Sequence, residues 1–389
     1  MSSGTEGKEV FLITGGSGFL SQHLVREIQQ QFTSDEVKEI RLVDREPFKK
    51  FLDYDERIPI RPVRGCCTDF EFTKKTMQNV TVVFHLCAKR YHFGLYQNLQ
   101  EYLRDNVKTT EVVLDAMKAC GVNQLVHVSD AMVHIGWNDN CMMATESRCL
   151  HAPPSGEWML GPYGKSKHQS EQLIREASTT GFIHSCIVRP TFLYGEGDTT
   201  LVPESLRLAR ASPDGTLPRV GDGKNKLQLV YAGNCAAMLV RLAKRMLSSN
   251  HSCNTSTTAS VEEEMSNGEI FFCTDGNGVT LINFYDYIRP FLSAADLSIA
   301  TTPAYSYESA MLYASLGGKI CRLLSTVSGR RVGADYFPTL EMVRLAGGLN
   351  FLFNMTKARL MLAWKPPYSA QDAMESTIKW WTRKNHDES

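Results

Sequence analysis

Two residues with complementary chemistry, Tyr163 and Lys167, stand four positions apart in the segment PYGKSKHQSEQLI. The segment has a helical pattern, and residues at positions i and i+4 of a helix project from the same face. A tyrosine with its ordinary pKa of about 10 is a poor base at neutral pH, but a nearby ammonium group favours the phenolate and lowers that pKa. Tyr163 is therefore a candidate for proton exchange with a substrate hydroxyl, provided that a hydride acceptor is bound beside it.

A glycine-rich turn that could hold such an acceptor lies near the start of the sequence. The segment TGGSGFLS lies between a predicted strand and a predicted helix, where glycines allow a tight turn and a close approach of the backbone to a pyrophosphate. The residues expected to contact a dinucleotide here are Gly15, Gly16, Ser17, Gly18, Phe19 and Leu20. Ser21 replaces the third glycine of the pattern, and its small side chain should still allow the helix to pack closely on the sheet.

The residue at the end of the second predicted strand bears on the choice of dinucleotide. Asp44 could accept hydrogen bonds from a ribose 2′-hydroxyl and would repel a 2′-phosphate. The neighbouring Arg45 could pair with such a phosphate, so NADP(H) stays open. The carboxylate favours NAD(H), whose nicotinamide would take up the hydride while Tyr163 handles the proton.

The elements that must position these residues are short apolar strands that alternate with helices. The predicted strands are Glu9 to Thr14, Ile40 to Asp44, Val80 to Leu86, Gln124 to Ser129 and His184 to Arg189. Alternation of this kind predicts an α/β fold with a Rossmann-type, doubly wound parallel sheet.

Beyond Pro190 the pattern loosens and predicts a smaller, mostly helical lobe that binds substrate. The expected cofactor domain covers 8–195, with return segments 227–247 and 267–278, and the substrate lobe covers 196–226 and 279–389. The polar segment 248–268 is expected to be an exposed loop. A further strand is expected at Glu269 to Thr274, and a late helix at Ala370 to Trp381.

Composition limits the classes of partner. The 42 basic and 42 acidic residues cancel and leave no basic stripe for nucleic acid. Eleven cysteines without a CxxC pair indicate a reducing compartment, the cytoplasm, and no metal is expected. No run reaches the roughly 18 to 20 apolar residues of a spanning helix. Ser309 to Ser325 and Leu345 to Met355 are expected to be core helices, with a peripheral anchor on the endoplasmic reticulum membrane as the alternative.

Several segments occur in the order found in extended short-chain dehydrogenases, namely TGGSGFLS, RLVD, FHLCA, NVKTT, YGKSK and RPTFLYGEGD. The later segments VYAGNCA, EIFFCTD and TKARLMLAWKPPYSAQDAMESTIKWW are similar to the 3β-hydroxysteroid dehydrogenase/isomerase branch. The chain therefore resembles that family over nearly its whole length. The resemblance implies NAD-dependent oxidation of a ring hydroxyl on a steroid or sterol-like alcohol. It also implies a homodimer that pairs through helices near Leu99 to Met117 and Tyr163 to Ala177.

The resemblance also implies roles for single residues. Tyr163 and Lys167 match the catalytic pair of the family, and Lys167 would also bond the nicotinamide ribose. The remaining positions expected to bind the cofactor are Asp69, Ala88, Asn106, Pro190 and Thr191. A purely structural bond by Asn106 near the active site is an equal alternative.

Three departures from the family pattern affect the expected chemistry. Cys66 stands where the family has an aspartate that contacts adenine, and Thr109 replaces a glycine. The catalytic serine of the family falls at Asp130, with Ser129 one residue earlier. Asp130 could be an ionised obstacle or a protonated donor, or Ser129 could face the substrate instead. The ionised obstacle, and with it a slow enzyme, is expected.

Two other functions stay open. The same fold could act on a nucleotide sugar or another ketone, since a fold does not determine a substrate. Asp130, Cys66 and Ser21 also allow a sensor or scaffold that binds NAD with little turnover. The aromatic segment 90–96 and the apolar later lobe favour an apolar ligand.

Overall fold

The computed structural model describes residues 7–252, 267–276, 281–301, 305–333 and 338–387. In chain order its strands are β1 (Glu9–Thr14), β2 (Val37–Asp44), β3 (Ile60–Arg64), β4 (Val82–His85), β5 (Gln124–Val128), β6 (Cys141–Ala144), β7 (His184–Pro190), β8 (Phe192–Tyr194), β9 (Thr216–Leu217), β10 (Leu227–Tyr231), β11 (Glu269–Cys273), β12 (Leu281–Ile282), β13 (Ser298–Ile299) and β14 (Phe351–Phe353). Its helices are α1 (Phe19–Gln31), α2 (Phe70–Thr76), α3 (Leu99–Tyr102), α4 (Thr109–Cys120), α5 (Gly161–Thr179), α6 (Leu201–Ala211), α7 (Ala232–Ser252), α8 (Phe284–Ser293), α9 (Tyr307–Ser328), α10 (Leu340–Gly347), α11 (Thr356–Leu362) and α12 (Ala370–Asp387). A π-helical turn at Leu103–Lys108 joins α3 to α4.

The largest element is a sheet of seven parallel strands in the order β11, β7, β5, β4, β1, β2, β3. All the strands predicted for the first half of the chain are present in it, and the predicted Rossmann-type sheet is confirmed. The strand order reverses between β1 and β4, and parallel sheets of this kind form a ligand crevice at the carboxyl ends of such strands. The glycine-rich turn follows β1 directly, so it lies at this crevice.

The strand β3 is the one member of this sheet that the sequence analysis missed in the first half of the chain. Its segment IRPVR is mostly exposed and contains Pro62, which has no N–H for a hydrogen-bond ladder. A proline is tolerated here because β3 is an edge strand that pairs only with β2 in the sheet order.

A smaller sheet contains strands from both of the domains that the sequence predicts. Its order is β12, β10, β14, β6, and β8 pairs with β10. Strands β6 and β8 belong to the segment 8–195, and β10 belongs to a predicted return segment, yet all of them lie in the small sheet. The predicted domain boundaries therefore do not separate the two sheets.

Two predictions for the later half need correction. The predicted loop at 248–268 begins too early, since Ser248 to Ser252 continue α7, and residues 253–266 lie outside the described part of the chain. The segment Leu345 to Met355 is not a core helix. It contains the end of α10, the glycines Gly347 and Gly348, and the buried strand β14.

The expectation that α9 is a core helix is also wrong. The residues that face the protein are small: Ala310, Ala314, Gly317, Gly318 and Cys321. The large apolar residues form one exposed face, the α9 stripe: Leu312, Tyr313, Leu316, Ile320, Leu323, Leu324 and Val327. Val327 is 80% exposed and Leu323 is 66% exposed. Within the described ranges, no helix combines the length and the apolar character needed to cross a membrane.

The last described helix returns to the first. The Tyr368 hydroxyl, just before α12, donates to Glu27 of α1, and its ring lies 5.4 Å from the Arg26 guanidinium carbon. Ser376 of α12 donates to the carboxylate of Glu196, whose backbone oxygen is 3.0 Å from the His23 ring nitrogen. These contacts join the glycine-turn helix to the far end of the described chain.

Candidate active site

A cavity of about 660 Å³ opens at the carboxyl ends of β1, β2, β4 and β5. The glycine turn and Asp44 line one part of it, aromatic and aliphatic side chains line another, and Tyr163 and Lys167 belong to the same lining. The cavity therefore joins the predicted dinucleotide site to the predicted catalytic pair.

The glycine turn has a conformation that lets its backbone approach a dinucleotide closely. Gly15 has φ +73°, and a Cβ there would lie 3.0 Å from the Cα of Cys87. A Cβ on Gly16 would lie 2.6 Å from Leu42 Cβ, so Gly16 provides close packing on β2 and does not line the cavity. The hydroxyl of Ser21, at the place of the third glycine, donates to the Gly15 carbonyl oxygen at 2.5 Å. Ser21 therefore fixes the turn, as well as allowing α1 to pack closely.

The carboxylate of Asp44 is held at the edge of the cavity. One oxygen accepts from the Ser17 backbone N–H and the other from the Glu46 N–H, both at 3.0 Å. The Arg45 side chain is 52% exposed and lies 3.4 Å from Asp105. The bare glycine backbone and this anchored carboxylate fit a dinucleotide, with Ser17, Gly18, Phe19 and Leu20 also in the lining.

Helix α5 brings Tyr163 and Lys167 to the cavity on one face. Pro162 occupies its first turn, where a missing N–H costs nothing. The Lys167 ammonium donates to the Val128 carbonyl oxygen at 2.7 Å, and burial lowers the pKa of Lys167 to about 8. Burial and then the Asp130 carboxylate raise the pKa of Tyr163 well above its ordinary value. The expected lowering of that pKa by Lys167 is therefore wrong in this arrangement.

Asp130 is in direct contact with the catalytic tyrosine. The Tyr163 hydroxyl donates to one carboxylate oxygen at 3.0 Å, and the Met132 backbone N–H donates to the other at 2.8 Å. Burial raises the pKa of Asp130, although these hydrogen bonds oppose the shift. Since both oxygens accept, the contacts suit an ionised carboxylate better than a protonated donor.

Ser129 lines the cavity, but its hydroxyl is turned away from Tyr163. It donates to the Glu171 carboxylate at 2.7 Å, behind the catalytic pair. The alternative in which Ser129 serves the substrate would require this bond to break.

A buried charge cluster beneath the site was missed by the sequence analysis. Glu171 of α5 accepts from the Arg189 guanidinium of β7, with Nε at 3.0 Å, and both side chains are almost fully buried. Burial alone would raise the pKa of Glu171, but Arg189 and His134 hold it far below its ordinary value. The available signal was the spacing from Lys167 to Glu171, which again places two ionisable groups four residues apart on α5.

The remaining expected residues divide into two groups. Ala88, Pro190 and Thr191 line the cavity, as do the departures Cys66 and Thr109. Asn106 lies outside the lining, where its side-chain oxygen accepts from the Lys89 N–H at 2.6 Å and its amide donates to Ser166 at 2.7 Å. These two hydrogen bonds support the alternative in which Asn106 has a purely structural role. Asp69 is also outside, because its carboxylate caps α2 by accepting from the Phe72 N–H at 3.1 Å.

A second part of the cavity is mostly apolar. Its walls include Tyr91, Phe93, Leu160, Phe192 and Leu201. The Tyr91 ring lies 5.6 Å from the Tyr163 ring. At the mouth, the Arg90 guanidinium donates to the Thr199 hydroxyl and connects the loops that follow β4 and β8. This part suits an apolar molecule with a hydroxyl or ketone near Tyr163.

Comparisons with known proteins give a family match and a fold match. A family model described as the 3-beta hydroxysteroid dehydrogenase/isomerase family matches residues 12–302. A 2-alkyl-3-oxoalkanoate reductase of Stenotrophomonas maltophilia is 30% identical over 225 residues, which cover 58% of this chain and 62% of that protein. The mouse 3 beta-hydroxysteroid dehydrogenase type 7 is 26% identical over 383 residues, which cover 95% of each chain. A dTDP-glucose 4,6-dehydratase from Streptomyces venezuelae, crystallised with NAD, has a TM-score of 0.65 at 21% identity, and the match covers 97% of this chain and 98% of that one. The similarity to the dehydratase concerns the fold alone.

Proposed function

Because the chain belongs to the 3-beta hydroxysteroid dehydrogenase/isomerase family, we propose that it oxidises a secondary alcohol on a sterol-like molecule, or reduces the corresponding ketone, with NAD(H). The observation that carries this proposal is the continuity of the cavity, because one lining contains the glycine turn, Asp44, Tyr163 and the apolar side chains, with the Tyr163 ring 5.6 Å from the Tyr91 ring. A 3β-hydroxyl on a rigid, apolar ring system is the favoured substrate group.

The mechanism assigns a separate task to each part of the cavity. A bound NAD⁺ would supply the hydride acceptor. The glycine turn and Asp44 would hold the dinucleotide, and Lys167 would hold its ribose. In its deprotonated form, the Tyr163 oxygen takes the proton from the substrate alcohol as the alcohol is oxidised, and the tyrosine hydroxyl returns it in the reverse direction. The apolar walls exclude water and orient the ring system.

Asp130 makes this chemistry slow at neutral pH. An ionised carboxylate 3.0 Å from the Tyr163 hydroxyl holds the proton on the tyrosine, so the base needed for oxidation is scarce. The same charge opposes the negative charge that develops on the substrate oxygen.

The direct test is turnover of purified protein with NAD⁺ against hydroxysteroids and nucleotide sugars, followed as NADH formation. Oxidation of 3β-hydroxysteroids supports the proposal, whereas turnover of sugar nucleotides alone would replace it with the second enzyme class. Tight NAD binding without turnover of any alcohol would instead indicate a sensor or scaffold, a candidate that the Tyr163 to Asp130 hydrogen bond favours.

We also propose that the protein attaches peripherally to a membrane through the α9 stripe. The stripe is a continuous apolar face of a long helix, and its packing side is made of small residues. Lys319 and Arg322 flank it, and the exposed Arg330 and Arg331 follow the end of α9. An apolar face edged by cations matches the interface of an anionic bilayer.

We further propose that two copies pair through the face formed by α4, α5 and the π-helical turn. A surface groove of about 640 Å³ crosses this face, and its apolar floor includes Leu103, Val107 and Leu173. Cations (Arg104, Lys108) and anions (Glu111, Glu176) border the same groove, and a face that pairs with a copy of itself must carry both signs of charge. Sedimentation velocity should then give twice the chain mass of 43.6 kDa, and a monomer at micromolar concentration would contradict the pairing.

A further inference from the structure

A second cavity lies beside α9 and is separate from the candidate active site. It has a volume of about 650 Å³ and lies between α9, the loop after β4 and the start of α10. Its lining shares no residue with that of the cofactor cavity. The charged residues of this lining are Lys319, Arg322, Arg331 and Glu341. Three cations share the cavity with one acid, so it should attract an anion.

The three cations of this cavity can reach a ligand. All three side chains are exposed, and in the described part of the chain none of them lies within ion-pair distance of a carboxylate. The Arg322 guanidinium donates a long hydrogen bond, at 3.4 Å, to the Leu95 carbonyl oxygen. Burial raises the pKa of Glu341, which weakens the negative charge that would oppose an anion.

The walls of this cavity are tied together by Tyr96, in the loop after β4. Its hydroxyl oxygen lies 2.6 Å from the Ser325 hydroxyl of α9 and 2.8 Å from the Val332 carbonyl oxygen, beyond that helix. The Val332 N–H donates to the same Ser325 hydroxyl at 2.8 Å. The Arg331 guanidinium carbon lies 5.9 Å from the centre of the Tyr96 ring. These contacts fix the loop, the end of α9 and Arg331 relative to one another, so the cavity is formed before a ligand binds.

The position of the cations on α9 relates the cavity to the α9 stripe. Ser315, Lys319 and Arg322 are spaced by four and three residues, so they share one side of the helix. This side lies between the small residues that pack on the protein and the α9 stripe, because each residue of an α-helix advances by about 100°. If the stripe enters a bilayer, the cavity therefore lies beside it at the level of the lipid headgroups.

We propose that this cavity binds the phosphate group of an anionic phospholipid, whose acyl chains lie along the α9 stripe. A phosphate accepts charge-assisted hydrogen bonds from arginine and lysine, and the cavity supplies three such side chains. A free phosphate ester carries the same anion, but it has no chains to cover the stripe. The inference rests on the membrane attachment proposed above and adds the headgroup that the protein selects. It does not depend on the proposed reaction.

The test is calorimetric titration of the full chain with dihexanoyl phosphatidylglycerol, kept below the concentration at which it forms micelles. Dihexanoyl phosphatidylcholine, whose headgroup has no net charge, should bind about tenfold more weakly. Inorganic phosphate, which has no acyl chains, should also bind about tenfold more weakly. Arg322→Ala and Arg331→Ala should each weaken the binding of phosphatidylglycerol about fivefold. Arg330→Ala is the matched control, because Arg330 is exposed beside Arg331 but outside the lining, and it should change this binding by less than about twofold.

No binding of dihexanoyl phosphatidylglycerol, equal binding of the two lipids, or an equal loss in Arg330→Ala and Arg322→Ala would overturn the proposal. Inorganic phosphate that bound as tightly as the lipid would assign the cavity to a free phosphate and overturn the lipid. Failure of the proposed membrane attachment is distinguishable by sedimentation with vesicles of phosphatidylcholine and about 30% phosphatidylglycerol. In that case the soluble lipid binds, but the protein does not sediment with the vesicles. If the cavity alone fails, the protein sediments, and Arg322→Ala lowers sedimentation no more than Arg330→Ala does.

Discussion

The hydrogen bond from Tyr163 to Asp130 determines how the proposed reaction should respond to pH. Each unit by which the carboxylate raises the pKa of Tyr163 corresponds to about 1.4 kcal/mol, or tenfold in the phenolate fraction. Oxidation should therefore increase as pH rises above neutral, toward the raised pKa of Tyr163. Asp130→Ser should raise the rate near neutral pH by about tenfold and shift the profile to lower pH. Rates of alcohol oxidation measured across pH for both proteins test this.

Asp130→Asn is the control for charge, because it keeps the size of the side chain and removes the carboxylate. It should shift the profile in the same direction as Asp130→Ser. A flat profile with fast turnover in the unmodified protein, or loss of activity in both variants, would mean that Asp130 is not an obstacle.

A second prediction concerns the proton route itself. Tyr163→Phe removes the hydroxyl and should lower turnover by about 10² to 10⁴-fold, while NAD⁺ affinity stays within about threefold. Tyr102→Phe is a matched control, since its ring lies 5.8 Å from the Tyr163 ring but its hydroxyl contacts the backbone of Arg90. Turnover and calorimetric binding separate the two roles. If Tyr163→Phe kept most of its activity, another group would have to carry the proton.

A third prediction concerns the cofactor. NAD(H) should bind more tightly than NADP(H), because the anchored Asp44 carboxylate would repel a 2′-phosphate. Asp44→Ala should reduce the preference by about tenfold, because it removes the repelling carboxylate beside the exposed Arg45. Asp53→Ala, in a loop outside the cavity lining, is the control for loss of one negative charge. Measured affinities that favour NADP(H) in the unmodified protein would refute the assignment.

The residues that the sequence places together are those linked by local geometry. Tyr163 and Lys167 share a helix face, and Gly15 and Gly18 share a turn, so their spacing was sufficient to predict them. Glu171 and Arg189 lie on different elements, and only the packing of α5 on β7 brings them into contact. The orientation of Ser129 depends on that same contact.

At the scale of elements, the Glu171 and Arg189 ion pair ties α5 to β7 beneath the catalytic pair. Glu171→Gln would leave the buried Arg189 charge uncompensated and should lower the free energy of unfolding by about 3 to 5 kcal/mol. Urea unfolding measures this. Glu375→Gln, at an exposed position of α12, is the matched control and should change stability by less than about 0.5 kcal/mol.

The pH dependence of this ion pair has a definite sign. The pKa of Glu171 is lower in the folded protein than the ordinary value of about 4.3 in the unfolded chain. The ionised Glu171 therefore stabilises the folded protein fully at pH values above about 4.3, the pKa of a glutamate in the unfolded chain. This stabilisation is lost as the pH falls toward the lower pKa that Glu171 has in the folded protein. The difference in stability between the unmodified protein and Glu171→Gln should shrink in acid. A difference that grew below about pH 4 would contradict the folded-state ion pair.

The sequence predicted the buried strands of the large sheet well, because continuous apolar runs are typical of parallel strands covered on both faces. It missed β3, whose edge position tolerates exposed residues and Pro62. It predicted the wrong environment for α9, because an apolar helix has the same composition whether its large residues face inward or outward. Only the packing of Gly317 and Gly318 against the protein reveals which side is exposed.

At the scale of the whole molecule, we expect the α9 stripe to determine whether the protein binds to a membrane. Leu316→Gln combined with Leu323→Gln should lower binding to vesicles of 70% neutral and about 30% anionic phospholipid by at least tenfold, because it removes two apolar side chains from the bilayer. Vesicle sedimentation measures this. Leu360→Gln, at a side chain 78% exposed on α11, is the matched control. Equal binding by the unmodified protein and the double variant would exclude the stripe as the contact.

The return of the last helix to the first has a consequence for biosynthesis. A ribosome releases α1 early, but Tyr368 and Ser376, which bond to Glu27 and Glu196, are made more than three hundred residues later. Until then the glycine-turn helix lacks part of its packing surface, and the nascent protein exposes it to chaperones and proteases. A premature stop codon before Tyr368 would leave every residue that lines the cofactor cavity in the protein. It should nevertheless destabilise the domain that holds these residues, because the bonds of Tyr368 to Glu27 and of Ser376 to Glu196 would be lost.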